Sequence, residues 1–174
     1  MAKYHIYTDG ACSGNPGKGG WATIVLNEEE NEIVFKEHDT DDYTTNNRME
    51  LKAMLCALQY AAENPNHQFT IYCDSAYVVN SLNSWMPNWA ANGWRNSKKQ
   101  IVENVELMKA LWEYQSRDFP NFCVHKCDGH AGVFGNELAD AAATNNWARF
   151  NSILEEWNVT ELAFNYGDSW LPFD

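Results

Sequence analysis

Long apolar runs are missing from this sequence. No stretch approaches the ~20 consecutive apolar residues that a membrane-spanning helix needs, and the opening residues, MAKYHIYTDG, contain no apolar core of a secretory signal. We therefore expect a cytoplasmic protein with no membrane segment. The five cysteines are an odd number and are spread along the chain, so we expect reduced thiols rather than a disulfide framework.

Basic residues are also scarce. The 174 residues include 12 Lys and Arg against 24 Asp and Glu, which gives a net charge of −12. This balance argues against a nucleic-acid partner, because phosphate binding usually draws on a basic surface. If four carboxylates hold two divalent metal ions, the charge changes by +4, from −12 to −8, and the ions themselves attract phosphate. The rest of the acidity has no explanation in the sequence.

Internal repeats, low-complexity segments and interdomain linkers are absent too, so the length and the 45% hydrophobic content indicate one globular domain. A phosphate loop is likewise missing. In GACSGNPGKGG, Lys18 is followed by Gly19 instead of the Ser or Thr of the G-x-x-x-x-G-K-[ST] pattern. We expect no nucleotide cofactor.

The sequence does contain a regular succession of strand-like and helix-like segments. Three strand-like segments come first, YHIYTDGAC, GWATIVL and EIVFKEH, and they are followed by RMELKAMLCALQYAAEN, a helix that is apolar around most of its circumference. FTIYCD and FCVHKC predict two further strands, and AYVVNSL, IVENVELMKALWEYQS and GNELADAAATNNWARF predict helices. This order indicates an α/β domain with a mixed sheet.

Four carboxylates fall where a charge is costly. Asp9 lies inside an apolar strand, Asp74 ends another strand, Glu50 lies on the apolar helix, and Asp140 lies among alanines on the last helix. Buried carboxylates need a cationic partner, and few Lys or Arg lie in these segments. A shared metal centre accounts for all four, and ligands that are all oxygen suit magnesium or manganese.

Each carboxylate also has a simpler interpretation. Asp9 can be a turn residue before Gly10, and Asp74 can cap the helix that follows it. Glu50 can pair with a surface lysine, and Asp140 can face water. Four such coincidences in one chain are less favoured than one shared site.

Four segments carry a resemblance to a known family. YTDGACSGNPGKGGWA, TTNNRMELKA, CDSAYVVN and GHAGVFGNELAD, in this order, resemble the signature segments of type 1, bacterial-like ribonuclease H, over about residues 3 to 147. The resemblance implies a ribonuclease H-like fold, a five-stranded mixed sheet of three antiparallel strands and then parallel strands, flanked by helices. It also implies a catalytic domain over residues 1–150 with a protruding handle at about 83–99. Residues 151–174 are left as an extension that we expect to pack on the domain.

The chemistry implied by the resemblance is hydrolysis of the RNA strand of an RNA–DNA hybrid. Asp9, Glu50, Asp74 and Asp140 match the family's metal-binding carboxylates, which hold two Mg²⁺ ions with the substrate, and Mn²⁺ can substitute. One ion activates a water and the other stabilises the departing 3′-oxygen, which leaves 5′-phosphate and 3′-hydroxyl ends. His130 matches a mobile-loop histidine that helps proton transfer or product release, although it can also be simply an exposed loop residue.

Contacts to the RNA strand near the cut are also implied. They match Cys12, Asn15, Asn46 and Asn47. A hybrid-specific enzyme must sense the 2′-hydroxyl on one strand and its absence on the other. Asn15 also suits a turn and Asn46 a helix cap, and both roles are compatible with substrate contact.

Contacts to the DNA strand are implied at two places. Thr45 and Asn104 match polar members of a phosphate pocket, and Trp85 and Trp89 match aromatic residues of the handle. We expect a third handle tryptophan, Trp94, to pack in the handle itself. The chain departs from its bacterial relatives here, because neutral residues replace a basic run between the handle tryptophans, a tyrosine stands where arginine is common in the phosphate pocket, and an alanine replaces a common glutamine after the Asp-Ser pair. These residues are Ala90, Ala91, Asn92, Tyr43 and Ala76.

Three functions remain open from the sequence. The first is the hybrid-specific ribonuclease, which we expect to act as a monomer. The second is a non-catalytic nucleic-acid-binding domain, which need not retain all four carboxylates. The third is a DNA nuclease of the same fold, which the handle tryptophans and the GNPG and TNN segments disfavour.

Overall fold

A mixed sheet of six strands lies at the centre of the computed structural model, which describes residues 3–29, 31–127 and 134–162. The strands are β1 (Lys3–Gly14), β2 (Gly17–Asn27), β3 (Glu32–Thr44), β4 (Gln68–Cys73), β5 (Phe122–Lys126) and β6 (Thr160–Glu161). The helices of these ranges are α1 (Asn46–Ala62), α2 (Ala76–Asn80), α3 (Met86–Ala91), α4 (Val105–Gln115), α5 (Phe134–Ala143) and α6 (Trp147–Glu156), and a π-helical turn, Ser81–Trp85, joins α2 to α3. None of the described helices is long and apolar enough to cross a membrane.

The strand order confirms the fold predicted from the sequence. Across the sheet the order is β5-β4-β1-β2-β3-β6, with β1, β2 and β3 antiparallel and β1, β4 and β5 parallel. The sheet has one strand more than predicted, because two residues of the extension, Thr160 and Glu161, pair in parallel with Glu32 and Ile33 of β3. Edge strands present unpaired backbone groups, and a segment as short as β6 gives no alternation by which a sequence pattern could reveal it.

Helices cover both faces of the sheet. On one face α1 packs against β1 and β2, as its mostly apolar circumference predicts, and nine of its residues are buried. On the other face α5 packs against β1 and β2 and contacts α6. Gly20 of β2 allows this close approach, since a Cβ there would lie 2.3 Å from the carbonyl oxygen of Ala143.

The last predicted helix is two helices in the structure. Asn145 adopts a left-handed conformation with φ of 59°, which ends α5, and the Asn146 side chain accepts a hydrogen bond from the amide of Arg149 to begin α6. Asparagine tolerates both roles, so the Asn-Asn pair explains the break. The proposed domain boundary after residue 150 falls inside α6, whose Phe150 and Ile153 are buried, and that boundary stays a prediction.

Candidate active site

Three of the four predicted carboxylates meet at one end of the parallel strands. Thr8 of β1 is paired with Cys73 of β4, so the residues that follow, Asp9 and Asp74, emerge side by side. Glu50 reaches the same point from α1. Ligand oxygens of Asp9, Glu50 and Asp74 all lie within 4.8 Å of one another, and this cluster is called the carboxylate triad below.

A close approach between β1 and α1 places Glu50. The amide of Gly10 donates a hydrogen bond to Glu50 Oε1. A Cβ at Gly10 would lie 2.4 Å from the Glu50 amide nitrogen and 2.6 Å from the Met49 carbonyl carbon, both backbone atoms that have little room to move. Glycine at position 10 is therefore required for the strand and helix to meet.

Burial makes the carboxylate triad electrostatically strained without a cation. Asp9 is 5% exposed and Glu50 is 3% exposed. Desolvation raises the pKa of Asp9, and the neighbouring charges of Glu50 and Asp74 raise it further; desolvation and Asp74 raise the pKa of Glu50 in the same way. A divalent cation would replace the protons that this arrangement favours, and the all-oxygen donor set fits Mg²⁺ or Mn²⁺.

Asp140 lies beside the carboxylate triad but outside it. It comes from α5, and its side chain lies near enough to Asp9 to raise the pKa of that carboxyl. Its Oδ2 accepts a hydrogen bond from Arg149 Nη1 at 2.5 Å, in an ion pair whose two side chains are 44% and 40% exposed. The fourth predicted carboxylate is therefore near the other three and already has a cationic partner.

The predicted RNA-contact residues lie around the junction of the β1–β2 hairpin with the start of α1. The amide of Asn46 donates to Asn15 Oδ1 at 3.0 Å, and Cys12 Sγ donates to the Thr44 carbonyl at 3.4 Å. Thr45 caps α1, and Asn47 lies in its first turn. Since Glu50 is only one turn further along α1, this surface adjoins the carboxylate triad.

The handle tryptophans occupy two different environments. Trp85 is 41% exposed, and its ring lies 5.7 Å from that of Trp89 beside a groove that Arg95 and Lys99 also line. Trp94 instead packs edge-on against Trp112 of α4, with ring centroids 6.5 Å apart. His130, the predicted proton-transfer residue, lies outside the described residues.

Comparison with known proteins places this geometry in a family. The family model described as RNase H matches residues 1–148. The chain belongs to the RNase H family. A Ribonuclease H of Syntrophomonas wolfei is 44% identical over 147 residues, which cover 83% of this chain and 96% of that protein. The prediction that the chain is a ribonuclease H enzyme of bacterial type is thus confirmed.

Solved structures agree with the fold of this RNase H. The solution structure of the PFV RNase H domain aligns with a TM-score of 0.72 at 24% identity, over 84% of this chain and 94% of that one. The foamy viral protease-reverse transcriptase, in complex with RNA/DNA hybrid, aligns with a TM-score of 0.70 at 23% identity, over 83% of this chain and 20% of that one.

Two arginines in this RNase H were missed by sequence reasoning. Arg48 donates to Asn104 Oδ1 at 3.2 Å and pairs with Glu106 at 2.5 Å, while Asn104 donates to the Tyr77 hydroxyl at 3.2 Å. Arg48 therefore joins the predicted phosphate pocket. The only signal in the sequence is its place three residues after the helix cap Thr45, whereas nothing in the sequence pairs Arg149 with Asp140.

Proposed function

We propose that the protein hydrolyses the RNA strand of RNA–DNA hybrids with two Mg²⁺ ions held by Asp9, Glu50, Asp74 and Asp140, and that the products carry 5′-phosphate and 3′-hydroxyl ends. Mn²⁺ is proposed to substitute for Mg²⁺. The observation that carries the proposal is the carboxylate triad. Its three carboxylates come from β1, from α1 and from the end of β4, and their oxygens lie within 4.8 Å of one another. Membership of the RNase H family supports the same conclusion.

The chain's own groups have separate tasks in this mechanism. When bound, the metal ions supply the positive charge that activates a water and stabilises the departing oxygen. The Gly10 amide fixes the orientation of Glu50. Asp9 is fixed by its place on β1, and Asp74 by its place directly after the adjacent parallel strand β4. We assign His130, on the segment before α5, to proton transfer to the leaving group or to product release.

Selection of a hybrid is proposed to come from two surfaces. The junction of Asn15 and Asn46 lies beside the carboxylate triad, where amide and backbone groups can sense the 2′-hydroxyl of the RNA strand. The exposed ring of Trp85 and the half-buried ring of Trp89 would contact sugars of the DNA strand. The pocket of Thr45 and Asn104 would receive a DNA phosphate, and Cys12 and Asn47 are proposed as further RNA contacts. Support for a hybrid comes from the foamy viral structure, which contains one.

A cleavage assay tests the proposal. The substrates are an RNA–DNA hybrid with labelled RNA, an RNA duplex with labelled RNA, and a labelled DNA duplex. Each is incubated with the protein in Mg²⁺, in Mn²⁺ or in a chelator. We expect the wild-type protein to cut only the RNA of the hybrid, and only with metal. Asp74→Asn should reduce cutting by at least about a hundredfold, because it removes one charge that the metal centre needs.

The matched control is Asp42→Asn, which makes the same change at an exposed position of β3. It should cut at the wild-type rate. Failure of well-folded wild-type protein to cut in either metal would favour the non-catalytic binding domain, and cutting of the DNA duplex would favour the DNA nuclease. End-group analysis of the products tests the 5′-phosphate and 3′-hydroxyl assignment.

The setting of the enzyme is also a proposal. All five cysteines are free thiols, which supports a reducing compartment such as the cytoplasm. We propose that the protein acts there as a monomer. Analytical ultracentrifugation at micromolar concentration tests this proposal, since a dimer would give twice the molecular mass of one chain.

A further inference from the structure

The ion pair between Arg149 and Asp140 links the carboxylate cluster to α6. Asp140 lies near enough to Asp9 to raise the pKa of that carboxyl, yet it is not among the three residues whose ligand oxygens lie within 4.8 Å of one another. Its Oδ2 is instead taken by Arg149 Nη1 at 2.5 Å. A guanidinium stays protonated throughout the usable pH range, so this partner is always a cation.

The position of Arg149 is set by firm anchoring of α6. Asn146 caps the helix by accepting from the Arg149 amide at 3.2 Å. Trp147 packs on His38 with ring centroids 4.7 Å apart and on Phe150 at 5.3 Å, and the ammonium of Lys36 lies 5.2 Å from the Trp147 ring centre. These contacts fasten the first turn of α6 to β3, so Arg149 is presented to Asp140 by a fixed element.

We propose that Arg149 is a positioning residue that keeps Asp140 paired outside the carboxylate triad until a metal ion takes the place of the guanidinium. The inference rests on the proposed metal-dependent function. The carboxylate triad is complete without Asp140 and can take a first divalent ion with the ion pair intact. Recruitment of Asp140 requires Oδ2 to leave the guanidinium, so Arg149 sets the metal concentration at which the fourth carboxylate becomes a ligand.

The exposure of the pair determines the size of the effect. Both side chains are about two-fifths exposed, and exposed ion pairs stabilise by amounts that correspond to a factor of about two to five in an equilibrium constant. Asp140 can therefore be recruited at moderate metal concentrations. A fully buried pair would be far harder to separate, and an absent pair would leave Asp140 open to metal from the start.

The test follows side-chain carboxyl carbons by NMR during a Mg²⁺ titration of protein without nucleic acid. Arg149→Met removes the guanidinium and keeps a long apolar stem. It should lower the Mg²⁺ concentration at the midpoint of the Asp140 response by about two- to fivefold. The Asp74 midpoint should stay unchanged. Arg149→Lys, which retains the charge, should restore most of the wild-type Asp140 midpoint.

The matched control is Arg117→Met, which removes a cation that packs on Tyr114 after α4. It should leave both midpoints unchanged. The inference is overturned if the Asp140 midpoint stays the same or rises in Arg149→Met, if Asp140 fails to respond to Mg²⁺ in that variant, or if Arg117→Met gives the same shift. If Asp74 itself does not respond in wild-type protein, the proposed metal centre fails, and the inference fails with it. A normal Asp74 response with no shift at Asp140 defeats the inference alone.

Discussion

Asp9 and Glu50 lie between the sheet and α1 with almost no exposed surface, so their neighbours rather than water set their protonation. Desolvation and adjacent carboxylates raise the pKa of both groups, and the folded metal-free protein therefore binds more protons than the unfolded chain above their ordinary values of 3.8 and 4.5. Stability must then fall as the pH rises from that range toward the raised pKa values. A bound cation would oppose this loss.

The residue-scale prediction concerns Asp9→Asn. In chelator at pH 8 we expect the variant to be more stable than wild type by about 1–3 kcal/mol, and each kcal/mol corresponds to about 2–4 °C in Tm. Burial raises the pKa of Asp9 to about 10, so the wild-type carboxyl must take up a proton on folding at pH 8, whereas asparagine needs none. At pH 5.5 the difference should shrink, since protonating the Asp9 carboxyl on folding costs less free energy nearer to its ordinary pKa of 3.8. Thermal unfolding followed by circular dichroism gives both values.

The control for that measurement is Mg²⁺, which should raise the Tm of the wild type at pH 8 and have a smaller effect on Asp9→Asn. A variant that is less stable than wild type at pH 8 in chelator would contradict the prediction. It would mean that the charge of Asp9 is satisfied without a metal ion.

Residue-level prediction from the sequence succeeded where chemistry and sequence context coincide. Asp9, Glu50 and Asp74 each interrupt an apolar pattern. A charge in such a segment is costly to bury, so its presence in the sequence indicates a functional role. Arg149 lies between Ala148 and Phe150 on a half-exposed helix turn, where an arginine is ordinary. Its pairing with Asp140 depends on the turn between α5 and α6, which only the folded chain defines.

At the scale of elements, the handle combines a rigid base with an exposed aromatic face. Near the end of the helical run from α2 to α3, the Trp89 carbonyl accepts a hydrogen bond from the Trp94 amide at 2.7 Å. The Arg95 guanidinium donates to the Lys99 carbonyl at 3.0 Å. Trp94 packs against Trp112 of α4 and not, as the sequence had led us to expect, within the handle itself, while Trp85 stays exposed. The base is thus fastened to the domain, and the face is available for contact.

The element-scale prediction is that Trp85→Ala weakens hybrid binding and leaves the chemistry intact. Loss of one aromatic contact to the nucleic acid costs about 1–2 kcal/mol, so KM should rise about five- to thirtyfold while kcat stays within about twofold. Steady-state kinetics on a labelled hybrid measures both constants. Trp157→Ala is the control, because Trp157 is 38% exposed and stacks on Phe134 at the end of α6. Equal effects of the two variants would exclude a special role for the handle.

Helices and strands with a regular spacing of apolar residues could be predicted from the sequence. Features that depend on a single residue or on tertiary pairing could not. The apolar surface of α1 and the alternation of β4, with Phe69, Ile71 and Cys73 inward, are visible in the sequence. The break at Asn145 depends on one left-handed residue, and β6 exists only because the edge of β3 accepts it.

At the scale of the whole molecule, a net charge of −12 works against binding a polyanion. The handle groove is lined by Arg95 and Lys99, and Lys98 lies beside them in sequence. Three phosphate contacts from these residues would make the hybrid affinity fall about 40-fold between 50 and 200 mM salt. We therefore expect a high KM that rises steeply with salt.

A gain-of-function variant provides the test. Ala91 and Asn92 are exposed beside the handle groove, and replacing both with lysine should lower KM at 150 mM salt by about tenfold and steepen its salt dependence. Lysines placed at Asn151 and Ser152, exposed on α6, are the matched control for net charge. Hybrid binding that does not change between low and high salt would contradict the electrostatic account.

The acidic end of β3 has a consequence for self-association. β3 carries Asp39, Asp41 and Asp42 beyond Glu32 and Ile33, the residues that pair with β6. A second molecule that added its own β3 alongside these aspartates would bring like charges together. The acidity that hinders nucleic-acid binding thus disfavours edge-to-edge pairing of two copies at this end of the sheet.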